Sequence, residues 1–234
     1  QRQMCIRDSY NVQRAQVLDK DYAEQRIQLE KIKNDQLQTE LKFLKSQYHP
    51  HFLFNALNTV YFQIDESNKA PRRTLEMISE LLRYQLYGGN QKVSILQEID
   101  YLKTYIALRK LRMSERLRLR VEFPPELNEL NIYPLLFLPL VENAFKYVGG
   151  DYQLDIIMKW ENNRISLFIR NSIPELSAED EALRKSVDER QRKGIGLVNL
   201  RRRLSLLYPN KHRLETRKEE TEFVAELMIE IEDI

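Results

Sequence analysis

A histidine in the stretch Lys45–Asn58 stands among residues whose spacing favours a helix. Because a helix turns by about 100° per residue, His51, Asn55 and Asn58 lie on one side of it. The opposite side carries four apolar residues, namely Leu53, Leu57, Val60 and Ile64. A neutral imidazole is a nucleophile near neutral pH, so an exposed His51 flanked by amides suits a residue that another domain must reach. An ordinary surface histidine is the alternative.

Polar residues also interrupt the apolar segment Leu135–Tyr147, at Glu142, Asn143 and Lys146. Placing such groups in a buried helix is costly unless they find partners. A carboxamide oxygen suits Mg²⁺, and a lysine one turn further on can reach a phosphate. The segment therefore favours a phosphate and magnesium site, with a hydrogen-bonded core asparagine as the alternative.

Glycine pairs mark three further positions in a chain with only six glycines. The pairs are Gly88-Gly89, Gly149-Gly150 and Gly194-x-Gly196. Each pair predicts a break or a close approach of the backbone. The last pair precedes a predicted helix, whose free N–H groups and dipole can receive phosphate oxygens. A simple helix-entry turn explains it equally well.

Three of these stretches resemble motifs of one family. The sequence Pro-His-Phe-Leu-Phe-Asn at 50–55 resembles the phosphoacceptor motif of LytS-like bacterial sensor histidine kinases. The segment Leu135–Tyr147 looks like the N-box, and Gly194–Leu204 like the G2-box, of the ATP-binding fold shared by kinases, gyrase and Hsp90. The motifs stand in the family's order, and the resemblance spans about 41–231.

The resemblance implies that His51 receives the γ-phosphoryl group of ATP and that Asn143 holds Mg²⁺. Lys146 would then contact the nucleotide phosphates, and the loop 172–193 would be the ATP lid. The nucleotide-binding residues that the resemblance implies are Asn143, Lys146, Tyr147, Asn171, Gly194, Gly196 and Leu197.

Two positions depart from the pattern of that fold. Pro139 stands where ATP-hydrolysing members place a catalytic glutamate, which argues against a free-running ATPase and fits a kinase. Asn171 stands where an aspartate normally reads the adenine amino group, and the glycines of that box are absent. Because an amide can donate or accept, Asn171 predicts a reduced preference for ATP over GTP.

The N-terminal part divides into three predicted regions. Residues 1–10 resemble an adapter-derived sequence scar, or are disordered, and are excluded from the fold. Residues 11–47 are polar, lack Gly and Pro, and carry an apolar stripe that predicts a coiled-coil signalling helix in a parallel dimer. A solvated single helix is the alternative. Residues 48–113 are predicted to be the dimerisation and histidine phosphotransfer helices, which would form a four-helix bundle in the dimer.

Residues 114–234 show strand patterns from Arg116 onward and form the predicted catalytic ATP-binding domain. Apolar residues alternate through Phe123, and a second alternating run ends at Ile231. Asn162-Asn163 predicts a turn between two strands. The predicted class is α+β: an N-terminal coiled coil and dimeric helical bundle, followed by an α/β sandwich with helices on one face.

Composition excludes several kinds of protein. Positive and negative charges nearly cancel at +2, which gives no electrostatic case for nucleic acid as a partner. The single cysteine, Cys5, excludes an internal disulfide framework. No apolar run reaches the length of about 18 residues that spans a membrane. We therefore expect a cytoplasmic protein, attached to a membrane only through a missing N-terminal region, as the resemblance implies.

The function that the resemblance implies is the core of a sensor histidine kinase in a two-component system. Such a homodimer passes the phosphoryl group from its histidine to a response regulator, here expected to be of the LytTR type. A degenerate, non-catalytic dimeric scaffold is one alternative, and a coiled-coil adaptor with an unrelated α/β domain is another. Nucleotide binding separates the three.

Overall fold

The computed structural model describes residues 50–87, 91–124, 130–174 and 195–231. Contacts divide the chain into two compact units, 1–60 and 61–234. The predicted scar, the coiled coil at 11–47, Gly194 and most of the predicted lid lie outside the described residues.

Five helices lie in the described ranges. They are α1 (Pro50–Gln63), α2 (Lys69–Tyr87), α3 (Ile95–Lys110), α4 (Leu138–Tyr147) and α5 (Ile195–Leu207). None of them combines the length and the apolar character needed to cross a bilayer.

Local chemistry sets where α3 and α4 begin. Ser94 accepts a hydrogen bond from the backbone N–H of Leu96, and the Gln97 side chain accepts one from the N–H of Ser94, which satisfies free donors of the first turn. Pro139 lies in the first turn of α4, where its missing N–H costs nothing. The helix predicted from Leu135 begins later because Leu135 has a φ of 57°, which is not helical.

Within the described residues, seven strands form two sheets. They are β1 (Val93–Ser94), β2 (Arg118–Glu122), β3 (Asn131–Ile132), β4 (Gln153–Glu161), β5 (Arg164–Ser172), β6 (His212–Lys218) and β7 (Glu222–Glu230). The five-stranded sheet has the order β2-β4-β5-β7-β6. Only its β2–β4 pair is parallel. The antiparallel β1–β3 pair was not predicted, because each strand has two residues and shows no alternation.

The predicted turn at Asn162-Asn163 joins β4 to β5. Both asparagines have positive φ, 51° and 59°. Asparagine tolerates this left-handed conformation, and two such residues in a row match the twist of a two-residue hairpin. The turn sets a register in which Glu161 pairs with Arg164 and Leu154 pairs with Asn171.

One core joins the helices of residues 61–234 to one face of the large sheet. Its fully buried members include Ile95 and Leu102 of α3, Leu140 and Val141 of α4, and Leu204 of α5. The sheet contributes the alternating residues Leu154, Ile156, Ile165, Leu167, Ile169, Leu227 and Ile229. The core therefore continues across residue 113, where the predicted functional boundary lies, and α3 packs with the sheet domain. The boundary itself stays a prediction.

Candidate functional site

His51 lies exposed near the start of α1, together with Asn55 and Asn58. The ring Nδ1 of His51 is 3.1 Å from Nδ2 of Asn55, one helical turn further along. Leu53 and Leu57, on the other side, are half-buried. Val60 belongs to the predicted apolar side, yet 46% of its surface is exposed.

The orientation of the Asn55 amide decides which nitrogen of His51 can react. When the amide donates to Nδ1, the proton of the neutral ring lies on Nε2. When the amide oxygen faces the ring, Nδ1 carries the proton and Nε2 keeps a free lone pair. The nitrogen and oxygen ends of an amide are nearly equal in size, so both orientations are compatible with 3.1 Å. Asn55 can therefore hold the tautomer in which Nε2 is nucleophilic.

Helix α4 carries the three polar residues of the predicted N-box at its outer side. Asn143 is half-buried and its carboxamide makes no hydrogen bond to any described residue. Lys146 is exposed, with Nζ 5.0 Å from the ring centre of Tyr147. An amide oxygen and an ammonium group are thus both available for a ligand.

Helix α3 lies beside α4 and contributes a positive charge, that of Arg109, close to Glu142. The rings of Tyr105 and Phe145 meet edge to face at 6.5 Å, and the Arg109 guanidinium lies 5.8 Å from the centre of the Phe145 ring. Burial raises the pKa of the Glu142 carboxyl, and the charge of Arg109 opposes that rise. No pattern in the sequence predicts that α3 lines this side of α4.

Asn171 lies at the end of β5, and its side chain faces the helices. It is 1% exposed and follows Leu167 and Ile169 on the core face. Its neighbour Arg170 faces the other side of the sheet, where it pairs with Asp155 at 2.6 Å. The Asn171 Nδ2 donates to the carbonyl of Ser172 at 3.2 Å, while Oδ1 is buried without a partner among the described residues. Such a buried, unpaired acceptor is rare and calls for an explanation.

Gly149 and Gly150 join the end of α4 to the end of β5. The Gly149 N–H donates to the Ser172 carbonyl at 3.0 Å, and the Ser172 hydroxyl donates to the Gly149 carbonyl at 2.6 Å. A Cβ on Gly149 would lie 2.8 Å from Cδ of Pro174, and Gly150 has a φ of 59°. The close approach predicted for this pair is therefore present, and it draws the last turn of α4 to the strand end that carries Asn171.

The start of α5 is open. Gly196 is exposed, and a Cβ added to it would meet no atom within 4 Å. Leu197 is half-buried and packs against the core. Gly194 lies outside the described residues, so its predicted role is untested.

These groups fit a nucleotide bound with a divalent cation. Asn143 offers an oxygen of the kind that Mg²⁺ prefers, and Lys146 offers a cation for phosphate. The unpaired Oδ1 of Asn171 is the observation that most directly indicates a ligand, because a purine amino group could donate a hydrogen bond to this oxygen.

Sequence reasoning missed Glu98, a fully buried carboxyl on α3. It lies on the apolar stripe that Ile95, Ile99 and Leu102 form by their spacing. A charged residue at such a position predicts a specific partner, and that signal was available in the sequence.

A family model described as histidine kinase matches residues 39–117, which include His51. The sensor protein kinase HptS of Staphylococcus aureus strain USA300 is 29% identical over 180 residues, which are 75% of this chain and 35% of that protein. HptS of strain NCTC 8325 matches equally. The chain thus spans about a third of the length of the curated relatives it matches. Their kinase names do not favour the non-catalytic scaffold.

Solved histidine kinases resemble the chain more distantly. The Acinetobacter baumannii histidine kinase AdeS has 13% identity and a TM-score of 0.41, with 80% of this chain and 98% of that chain covered. The histidine kinase domain of Erythrobacter litoralis EL346 has 14% identity and a TM-score of 0.43, with 75% and 93% covered. Because both TM-scores are below 0.5, these structures do not extend the description of the fold that follows from the strand order.

Proposed function

We propose that the chain is a histidine kinase that transfers the γ-phosphoryl group of ATP to His51 and then to a response regulator. The observation that carries this proposal is the exposed His51 ring with its Nδ1 held by Asn55. The resemblance to LytS-like kinases, and with it a regulator of the LytTR type, is part of the proposal.

The reaction on His51 needs no separate base in the tautomer that Asn55 can hold. The lone pair of Nε2 attacks the γ-phosphorus, a new N–P bond forms, and the P–O bond to the β-phosphate breaks as ADP leaves. The attacking nitrogen carries no proton, and the other ring proton stays on Nδ1, which donates it in a hydrogen bond to the Asn55 oxygen. This accounts for a motif in which Phe52, and not an acid, follows the histidine. Phosphoryl transfer depends mainly on positioning and charge neutralisation.

The nucleotide ligands in this proposal come from three elements of the sheet domain. Asn143 would bind Mg²⁺, with Lys146 and Tyr147 beside the nucleotide. Gly196 and Leu197 of α5, together with Gly194, would face the phosphates, and Asn171 would face the base. When bound, Mg²⁺ neutralises charge that develops on the phosphate oxygens. The residues of this chain would orient the nucleotide.

The test is incubation of the chain with γ-labelled ATP and Mg²⁺, followed by acid and base treatment. A phosphohistidine is acid-labile and survives base, whereas a phosphoserine or phosphothreonine survives acid. We expect acid-labile label that a response regulator receiver domain removes. Failure to label while ATP still binds would contradict the proposed activity. We further propose that this reaction takes place in the cytoplasm, where ATP is available.

We also propose that the active form is a homodimer and that α1 contributes to its interface. Val60 lies on the predicted apolar side of α1 but keeps 46% of its surface exposed, which a second copy would cover. Val60→Glu should raise the dimer dissociation constant about tenfold, because it would bury an unpaired charge. Thr59→Glu adds the same charge on a different side of the helix and should have little effect. Light scattering at micromolar concentration measures both, and a monomeric mass for the unmodified chain would contradict the dimer.

Asn171 should weaken discrimination between the purine bases. Its amide can turn to accept from the adenine amino group or to donate to the guanine oxygen. An aspartate can only accept, so Asn171→Asp should raise the ATP-to-GTP affinity ratio on the order of tenfold. Competition binding of the two nucleotides measures the ratio.

The matched control for this change is Asn68→Asp, which adds the same charge at an exposed position before α2. It should leave the ratio unaltered. An unchanged ratio in Asn171→Asp, with ATP still bound, would show that the base is read by another group.

A further inference from the structure

The segment just before α4 has an unusual backbone. Leu135 has a φ of 57°, in the left-handed region that leucine rarely adopts, whereas Phe137 is right-handed, with φ −86° and ψ −26°. A backbone that changes hand within three residues can turn neighbouring N–H groups toward one point, where an acceptor group can lie. Strain of this kind persists only where the surroundings enforce it.

The anion at this point is the protein's own carboxyl, that of Glu98 on α3. Its side chain is 0% exposed. Oε2 accepts a hydrogen bond from the Leu135 N–H at 2.9 Å. Burial raises the pKa of the Glu98 carboxyl. Hydrogen bonds from the Tyr84 hydroxyl and from the Phe137 and Leu136 N–H groups oppose this rise without cancelling it. Oε1 itself has no partner within hydrogen-bond geometry among the described residues.

A cation on α5 also binds this segment. The Arg203 guanidinium, on α5, donates to the carbonyls of Pro134 at 2.8 Å and Leu135 at 3.4 Å. Glu98 thus engages the N–H side of the segment while Arg203 engages its C=O side. Together they fix the entry to α4, and with it the helix on which Asn143 lies.

Tyr84 connects this arrangement to α2. Its hydroxyl donates to Oε2 of Glu98 at 2.6 Å, and its ring stacks on that of Tyr101 with centres 4.6 Å apart. Burial raises the pKa of Tyr84, and the nearby charge of Glu98 raises it further, so the hydroxyl stays a donor at neutral pH. Helix α2 is therefore linked by one hydrogen bond to Glu98, the residue whose carboxyl binds the segment at the start of α4.

We propose that Glu98 is a positioning residue for α4 and that its hydrogen bond with Tyr84 makes the magnesium site on α4 depend on the position of α2. The part that concerns magnesium rests on the proposed function. Loss of the Tyr84 hydroxyl would loosen Glu98, relax the strained entry at Leu135 and shift Asn143. A signal that moved α2 would act on catalysis by the same route.

The experiment compares Tyr84→Phe and Glu98→Gln with the matched control Tyr101→Phe. The Tyr101 hydroxyl accepts from Gln85 at 2.7 Å and therefore belongs to the α2–α3 contact, not to the entry of α4. Amide hydrogen exchange of Leu135 to Phe137 is read by NMR without nucleotide. The Mg²⁺ concentration that gives half-maximal labelling of His51 is read separately.

In Tyr84→Phe we expect amide exchange about fivefold faster and a half-maximal Mg²⁺ concentration about fivefold higher, the equivalent of one ordinary hydrogen bond. Glu98→Gln should exceed both, because the amide replaces one of the two acceptor oxygens with an NH₂ group that cannot accept a hydrogen bond. Tyr101→Phe should lower the melting temperature similarly to Tyr84→Phe yet change neither reading. Should Glu98→Gln fail to fold, Tyr84→Phe decides.

Equal exchange at Leu135 to Phe137 in Tyr84→Phe and Tyr101→Phe would overturn the positioning role. Faster exchange with an unchanged Mg²⁺ requirement would overturn the dependence of the magnesium site on α2. Absence of labelling in the unmodified chain would instead refute the proposed function, and the exchange measurement would still decide whether Glu98 and Tyr84 position α4.

Discussion

His51→Gln should abolish acid-labile phosphorylation completely. Glutamine keeps a polar side chain of similar length, but its amide nitrogen has no lone pair available for attack on phosphorus. ATP affinity should remain within about twofold, because His51 belongs to the unit 1–60 and every proposed nucleotide ligand lies in 61–234. The measurement is label retained after base treatment, set beside equilibrium binding of ATP by the same preparation.

Two other histidines supply matched controls for this substitution. His212 is half-buried, and its Nδ1 lies 2.7 Å from the Tyr208 carbonyl; His49 is two residues from His51 in the sequence. His212→Gln and His49→Gln should both retain acid-labile label. Label that persists in His51→Gln and disappears in His49→Gln would move the phosphoacceptor to the neighbouring histidine.

Asn143→Ala should lower the rate of His51 labelling on the order of a hundredfold or more, the usual cost of removing a group that organises charge at a reacting phosphate. The fold should persist, because Asn143 is only half-buried and makes no hydrogen bond to a described residue. Rates at saturating ATP and a far-UV circular dichroism spectrum check the two statements.

Asn143→Asp tests whether the oxygen is what matters. A carboxylate still offers an oxygen ligand for Mg²⁺, so this variant should keep more activity than Asn143→Ala and should respond to added Mg²⁺. A core asparagine would show the reverse order, since a carboxylate is harder to bury than a methyl group. Equal Mg²⁺ dependence in all three proteins would exclude Asn143 as a ligand.

The periodic elements could be predicted from the sequence because burial leaves a regular trace. The alternation that ends at Ile231 and the Asn162-Asn163 turn gave strands β4, β5 and β7, whose core-facing residues repeat every second position. The face of α1 that carries His51 followed from angular spacing, and its exposure agrees with the prediction.

What could not be predicted depends on contacts between distant parts of the chain. The entry to α4 is fixed by Glu98, which precedes Leu135 by 37 residues, and no local pattern records that meeting. Leu135 itself reads as a helix former, yet an anion from another helix holds it in the left-handed region. The placement of α3 beside α4 was equally hidden, because an apolar stripe does not say which surface covers it.

The β4–β5 turn determines which residue of β5 faces the side of the sheet where we propose that the nucleotide binds. Asn171 lies eight positions beyond Asn163, and successive side chains of a strand alternate between faces, so an even count sends Asn171 to the same face as Ile165. One residue inserted between the turn and Asn171 would make the count odd. Arg170 would then lie on the face of the sheet that packs against the helices, and Asn171 would lie on the opposite face. Length variation in this hairpin is therefore permitted only in steps of two, or within the turn when the pairing of Glu161 with Arg164 is kept.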